Sequence, residues 1–306
     1  MLKYYARRSS GEAFLKVQRP PEDNVWIHGD SVVPSDLKQL AQHYALDVNV
    51  LSDVLDEAEL PRVESRDGAI YVFVRMVRKG KSGKVVTSPV LLVVKNKMFA
   101  NLSAAQLSDQ RLENPGNDLH SNDTVRIMLE TFATVVSEYK EMMQQTANYI
   151  QDIGQRLRTH EVTNADFIRF VTIEGNLYEY RMNLDGMQVV AERLQTMFRS
   201  TEDIEAVEDI LLYIRQLLVS INSHTQRITS IRNAYSTIAN NVLNRRIKTL
   251  TVLTLLIALP NVFYGMYGMN ISLPFQDEAW AYAAILGVTV IIVLIVFVIV
   301  RKRGIF

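Results

Sequence analysis

Apolar residues are spread unevenly along this chain, and their spacing predicts its elements. From residue 249 to 276 no side chain is charged, and from 279 to 300 none is charged again. The stretch 281–300 reads AYAAILGVTVIIVLIVFVIV. That meets the roughly 20 apolar residues a helix needs to cross a bilayer core. The stretch 250–267 reads LTVLTLLIALPNVFYGMY and is less oily. It carries Thr251, Thr254, Pro260, Asn261 and Gly265, which a lipid-facing helix disfavours because polar groups in hydrocarbon need partners. Two buried core helices of a soluble protein would give a similar pattern, but the basic residues flanking both stretches favour membrane spans.

Everything before Lys248 reads as a charged soluble region. Residues 1–120 have mixed α/β character. Residues 24–28 and 98–102 are short strand candidates. Residues 69–77 and 86–94 are longer strand candidates rich in β-branched residues, joined by a turn at Gly80-Lys-Ser-Gly83. Pro89 inside the second run predicts an edge strand or a bulge. Helices are predicted over 34–44, with Pro34 in the first turn, and over 48–59, with Asp47 as N-cap. No proline occurs between Pro115 and Pro260. Residues 122–158 form one long helix by periodicity, with Met128, Phe132, Val135, Tyr139, Met142, Tyr149, Ile153 and Leu157 on one face. A second covers 164–198. Ser200 and Asp203 then open a third, capping-box fashion. That third pattern has no Gly or Pro until Pro260, which predicts a helix about 90 Å long at 1.5 Å per residue. Such a helix needs partners in a bundle or an oligomer.

The predicted division is therefore 1–120, a cytoplasmic α/β domain, then 121–200, long helices, and 201–248, a stalk. The first span is 249–268, the external loop 269–279, the second span 280–300 and a basic tail 301–306. Orientation follows from charge. Arg245, Arg246 and Lys248 precede the first span, and Arg301, Lys302 and Arg303 follow the second. The connection ISLPFQDEAW has no Lys or Arg and carries Asp277 and Glu278. Both termini are expected in the cytoplasm and the loop outside. The start, MLKYYARRSS, has no apolar core of a signal peptide. Trp280 and Tyr282 suit an aromatic belt at the outer end of the second span.

Composition removes several functions. Lys+Arg and Asp+Glu each number 33 in 306 residues, so no basic surplus points to nucleic acid. The absence of cysteine excludes disulfides, Cys-ligated zinc, iron–sulfur clusters and a Cys nucleophile. His28, His43, His120, His160 and His224 have no metal-ligand spacing. Gly80-Lys-Ser-Gly83 lacks the glycine spacing of a P-loop, and no nucleophile–base pair stands out. An enzyme is not expected.

Positions 244, 247, 251, 254, 258, 261 and 265 step by three and four and share one helical face. They are Asn244, Ile247, Thr251, Thr254, Ala258, Asn261 and Gly265. A small, polar face can mark tight helix packing in a membrane. It can equally line a water-filled path, which two spans alone cannot enclose, so that reading demands an oligomer.

After the first span comes Tyr267-Gly268-Met269-Asn270. This resembles the Tyr-Gly-Met-Asn signature of the CorA family of magnesium transporters, at the place where that family has it. Asn244-Arg-Arg-Ile-Lys248-Thr-Leu-Thr251 resembles the family's entry into its first span. Pro260 resembles its mid-span proline, and Asp56-Glu-Ala-Glu-Leu-Pro-Arg-Val-Glu64 resembles its acidic segment.

The resemblance implies a homopentameric cation channel in the cell (inner or plasma) membrane. Its fold would be an α/β/α cytoplasmic sandwich, a very long stalk helix and two C-terminal spans. It implies that Gly268, Met269 and Asn270 form the filter, with Asn270 an outer-shell ligand to a hydrated ion. Gly268 would permit an unusual backbone there. Asn244, Ile247, Leu250, Thr251, Thr254, Ala258 and Asn261 would line the pore. Asp277 and Glu278 would attract cations, and Asp209 would belong to a regulatory Mg²⁺ site between subunits, with Asp203, Glu205 and Glu208 nearby. The ions implied are Mg²⁺, and Co²⁺ or Ni²⁺. A zinc-transporting branch tends to carry Ile where this chain has Met269. From another class, a membrane-anchored helical sensor or scaffold would leave residues 267–270 unexplained.

Overall fold

The computed structural model describes residues 2–7, 14–106, 124–158, 163–269, 275 and 278–302. The chain divides into two units, Met1–Ile231 and Arg232–Phe306.

The first unit is built on a seven-stranded sheet in the order β2-β1-β3-β7-β6-β5-β4. The strands are β1 (Leu2–Ala6), β2 (Leu15–Val17), β3 (Val25–Gly29), β4 (Arg62–Arg66), β5 (Ala69–Lys79), β6 (Val85–Lys95) and β7 (Met98–Leu102). Among the described strands only β3 and β7 pair in parallel. Side chains alternate across the sheet with period two. Trp26, Val72, Val74, Met76, Val90, Leu92 and Phe99 go to one core. Ile27, Tyr71, Phe73, Leu91, Val93 and Ala100 go to the other. The second core is closed by α1 (Pro34–Tyr44) and α2 (Val48–Ser52), through Leu37, Leu40, Val50 and Leu51. The first is closed by α3 (Thr124–Arg158), α4 (Asn164–Met197) and the start of α5 (Thr201–Tyr267). The result is the expected α/β/α sandwich. Each large side chain fully buried in it contributes roughly 1.5–3 kcal/mol from leaving water.

Helix α3 buries the stripe that its periodicity predicts, apart from Leu157, whose side chain lies outside the described residues. Met128, Phe132, Val135, Tyr139 and Ile153 of α3 are buried, and Met142 and Tyr149 are partly buried. Tyr139 also donates to the carbonyl of Arg75 at 2.9 Å, tying α3 to β5. On α5, Val207, Ile210, Ile214, Leu217, Ile221, Ile228 and Ile231 face the core at steps of three, four and seven.

Several expectations need correction. The helix at 48–59 ends much earlier. Asp47 caps it, accepting from the N–H groups of Asn49 at 2.8 Å and Val50 at 3.4 Å. A 3₁₀ turn at Asp53–Leu55 follows, and the chain then leaves helical geometry at Asp56. Asp56 closes a turn there: its carboxylate accepts from the Ala58 N–H at 2.9 Å and its carbonyl from the Glu59 N–H at 3.0 Å, and Pro61 follows before β4. Strand β6 is interior, between β5 and β7, not at an edge. Pro89 is tolerated because β7 stops at Leu102, opposite Leu91, so no described strand pairs with β6 on that side at residue 89. There the Pro89 carbonyl accepts the Ser103 hydroxyl at 2.9 Å. Strands β1, β2 and β4 were not anticipated, being short and rich in charged or tyrosine residues.

The second unit contains the remainder of α5 and α6 (Ala281–Lys302). Both helices hold stretches long and apolar enough to cross a membrane. Helix α5 continues through Pro260 to Tyr267. Pro260 has no N–H to offer the carbonyl one turn back, yet the helix is unbroken.

Candidate functional site

The predicted stripe lies on the C-terminal part of α5. Asn244, Ile247, Leu250, Thr251, Thr254, Ala258, Asn261 and Gly265 are all exposed in the single chain. The Thr251 hydroxyl donates to the Ile247 carbonyl, and that of Thr254 to the Leu250 carbonyl, both at 2.9 Å. Thr249 does the same toward Arg245 at 3.0 Å. Each hydroxyl proton is thereby used within the helix, and the oxygen keeps acceptor capacity. Such oxygens suit water or a hard cation. Among the described residues of this face none is cationic between Thr249 and Gly268.

At the C-terminal end of α5 the coil persists past the helix. The Gly268 N–H donates to the Tyr264 carbonyl at 3.0 Å, and that of Met269 to Met266 at 3.2 Å. Gly268 does not adopt positive φ; among described glycines only Gly68 and Gly83 do. The expectation of an unusual backbone at Gly268 is therefore overturned, because its amide is still engaged in the helical ladder. A Cβ there would stand 3.3 Å from the Tyr264 oxygen, tight but not blocked. Met269 is exposed. Asn270 and Asp277 lie outside the described residues. Glu278 is exposed, and its N–H donates to the Phe275 carbonyl at 3.2 Å.

Aromatic packing marks the start of α6, and sequence reasoning missed half of it. Phe275 packs on Trp280 with ring centroids 5.3 Å apart. With Phe263, Met266, Ala281, Ala284 and others they line an apolar cleft of about 310 Å³ between the helices. The sequence pattern offered Trp280 as an interfacial residue but gave no sign of Phe275 as its partner.

Asp209, the regulatory candidate, is exposed on α5. It lines a hollow of about 440 Å³ with Arg126, Glu130, Asp203 and Glu205. Arg126 is paired with Glu130 at 3.4 Å. Glu208 accepts from Gln195 at 3.0 Å. Among the described residues no three His, Asp or Glu come together to hold a metal within the chain. His28 is a core residue whose Nδ1 lies 3.3 Å from Asn101 Oδ1, and that oxygen also accepts from Trp26 at 2.7 Å.

The acidic segment 56–64 turns out to be a cage around arginines. Arg62 reaches Asp53 and Glu64 at 2.7 Å and also pairs with Glu59, while its guanidinium lies 4.2 Å from the Phe73 ring centre. Burial alone would lower the Arg62 pKa, but the hydrogen bonds it donates to Glu64, Glu59 and Asp53 outweigh that and raise it. Arg75 donates to the carbonyls of Glu57 and Glu59. The carboxylates of this segment that the motif displays are largely consumed inside the fold.

Fold and site geometry together define a two-span membrane protein with an α/β/α soluble unit. The chain matches the family described as CorA-like Mg²⁺ transporter protein over residues 21–302, and it belongs to that family. It is 22% identical over 297 residues to the cobalt/magnesium transport protein CorA of Methanocaldococcus jannaschii, covering 92% of this chain and 90% of the relative. It is 18% identical over 292 residues to the protein of the same name from Thermotoga maritima, covering 91% and 82%. The complete structure of the CorA magnesium transporter from Methanocaldococcus jannaschii matches with a TM-score of 0.86 at 18% identity, over 100% of this chain and 99% of that one. That likeness shows a shared fold along the whole length.

Proposed function

We propose that this chain transports Mg²⁺ across a membrane as a homopentameric channel driven by the electrochemical gradient, and that it also passes Co²⁺ or Ni²⁺. The observation that carries the reading is the continuous small and polar face of α5, exposed in one chain and free of cations from Thr249 to Gly268, in a member of a Mg²⁺ transporter family. The functional division is 1–120, 121–200, a stalk over 201–248, a pore span over 249–268, an external loop over 269–279 and a second span over 280–300.

An oligomer places Asn244, Ile247, Leu250, Thr251, Thr254, Ala258 and Asn261 around an axis. Leu212 and Val219, exposed and seven residues apart on the stalk, support association of further copies along it. Mg²⁺ releases its waters reluctantly and demands octahedral geometry, so a filter that stripped it would stall it. A ring of Asn270 carboxamide oxygens, with Gly268 and Met269 beside it, instead accepts hydrogen bonds from the water around the ion. Asp277 and Glu278 raise the cation concentration at the mouth. Farther in, rings of Ile247 and Leu250 close the path by dewetting. Both termini face the cytoplasm of a cell membrane. There, Asp209 of neighbouring subunits binds regulatory Mg²⁺, holding the pore shut until internal Mg²⁺ falls. The exposure of Asp209 and the absence of a complete metal cluster among the described residues of one chain suit a site shared between copies.

The test is uptake of Mg²⁺ into proteoliposomes holding the purified chain and an internal Mg²⁺ dye, at inside-negative potential without a proton gradient. Entry that follows the potential supports a channel. Zn²⁺ entry requiring a proton gradient, with no Mg²⁺ entry, would overturn it.

A further inference from the structure

The unit Met1–Ile231 holds a second feature that transport does not use. Between the β5–β6 hairpin, α3 and α4 lies a cleft of about 610 Å³. That falls within the roughly 300–1,000 Å³ of small-molecule sites. Val85, Met142, Ile173 and Tyr180 give it apolar walls, and no carboxylate lines it.

Two cations stand at its exposed edge, Lys79 and Arg169. Arg62, Arg66, Arg126, Arg156, Arg181 and Arg215 each reach a carboxylate at 3.7 Å or less. Arg169 reaches none among the described residues. It donates one N–H to the Tyr149 hydroxyl at 3.2 Å, and a guanidinium has five donors. The Lys79 ammonium has no hydrogen-bond or ion-pair partner among the described residues, nor have those of Lys81 and Lys84 on the same hairpin. The hairpin is fixed in place. Asn176 of α4 accepts from the Val85 N–H at 3.0 Å and donates to the Gly83 carbonyl at 2.9 Å. The cations and the apolar walls are therefore held as one piece.

The geometry points to a binding site for a nucleoside phosphate, its flat base against the apolar walls and its phosphates on Lys79 and Arg169. A neutral ligand would make no use of the two cations. Inorganic phosphate would leave the walls empty. A nucleic-acid strand is a poor fit to a chain with zero net charge. Lys81 and Lys84 lie on the same hairpin as Lys79, beyond the lining residues, so affinity should rise with phosphate number.

The test is isothermal titration of the full-length protein in detergent with EDTA present, using adenosine, AMP, ADP, ATP and inorganic phosphate as probes. ATP is expected to bind tightest, and adenosine and inorganic phosphate at least about 10-fold more weakly than AMP. Lys79→Ala and Arg169→Gln should each weaken ATP binding about 10- to 100-fold, as loss of a charge-assisted hydrogen bond does. Thr172→Trp, which fills the cleft, should abolish binding. Lys97→Ala, at the exposed β6–β7 turn, should change nothing. No binding by any of the nucleotides would overturn the site, as would ATP binding indifferent to these cleft substitutions. So would phosphate binding as tightly as ATP. Binding is read without transport, so failure here is separate from failure of the channel reading.

Discussion

Gly186 of α4 lies against Pro61: a Cβ at 186 would stand 3.0 Å from Pro61 Cγ and 3.2 Å from its Cδ. The contact seats the segment before β4 on α4. It also sets two effects against each other. Ala is favoured over Gly in a helix interior by about 1 kcal/mol. The contact with a stiff proline ring removes that gain. Gly186→Ala is therefore expected to leave stability unchanged or lower it. In a Pro61→Ala background, where Cγ and Cδ are gone, the same change should stabilise by up to about 1 kcal/mol. Thermal unfolding of the four proteins checks this. Additive effects would show that the contact carries no energy.

The same segment depends on Arg62. Its removal leaves Asp53, Glu59 and Glu64 without their shared cation and uncovers the Phe73 ring. The group is part-exposed, so the expected loss for Arg62→Ala is about 1–3 kcal/mol, below that of a fully buried network. Arg62→Lys should recover less than half, since one ammonium cannot span three carboxylates in a fork and lie flat on a ring. Denaturant midpoints at low salt measure both. Full recovery by Lys would reduce the cage to simple charge balance.

Asp166 predicts how the first unit responds to acid. Burial alone would raise its pKa. The Thr163 N–H and hydroxyl, both at 2.9 Å, and Arg156 at 2.9 Å outweigh that and hold it below the ordinary carboxylate range. The native pKa lies below the unfolded value, about 3.9. The stabilisation is therefore complete above that value and lost as pH falls through the native one. Asp166→Asn should lower stability by about 2 kcal/mol at pH 6, and the gap to the parent should close below about pH 4. Unfolding curves from pH 6 to 3 test the sign. A gap that stays constant to pH 3 would contradict it.

Much of this architecture is legible in the residue pattern, for physical reasons that also mark where legibility ends. The stripes of α3 and α5 repeat over many turns, so Met128 through Ile153 could be assigned to the core by arithmetic alone. Strands β5 and β6 are buried on both faces and read as β-branched runs. Strand β4 does not, because Arg62, Glu64 and Arg66 occupy one of its faces and their fixing depends on distant partners such as Asp53 and Asp47. Pro89 misled because edge character is a property of where β7 stops, thirteen residues away in sequence. Gly268 misled because the residue type permits a conformation without requiring it. The α5 face was legible as small and polar. Its division between packing and conduction was not, since that depends on copies of the chain that one sequence does not display.

Conduction along that face gives the last prediction. If the stripe surrounds an aqueous path, Thr254→Leu and Asn261→Leu each replace a water-binding side chain by an apolar one and narrow the path. About 1.4 kcal/mol added to the barrier lowers flux 10-fold, so losses of at least that size are expected in proteoliposomes. Leu256→Val, well over a third of the way round the helix from both and only partly exposed, should leave flux within about twofold. Asn270→Ala should abolish Mg²⁺ selectivity or transport while the oligomer remains intact by size-exclusion chromatography. The packing alternative predicts the reverse order. In that case Thr254→Leu and Asn261→Leu would dissociate the oligomer, and Asn270→Ala would conduct as the parent does. Measuring assembly and flux on the same preparations therefore separates a lined path from a glued interface. Normal flux through an intact Asn270→Ala assembly would remove the filter assignment.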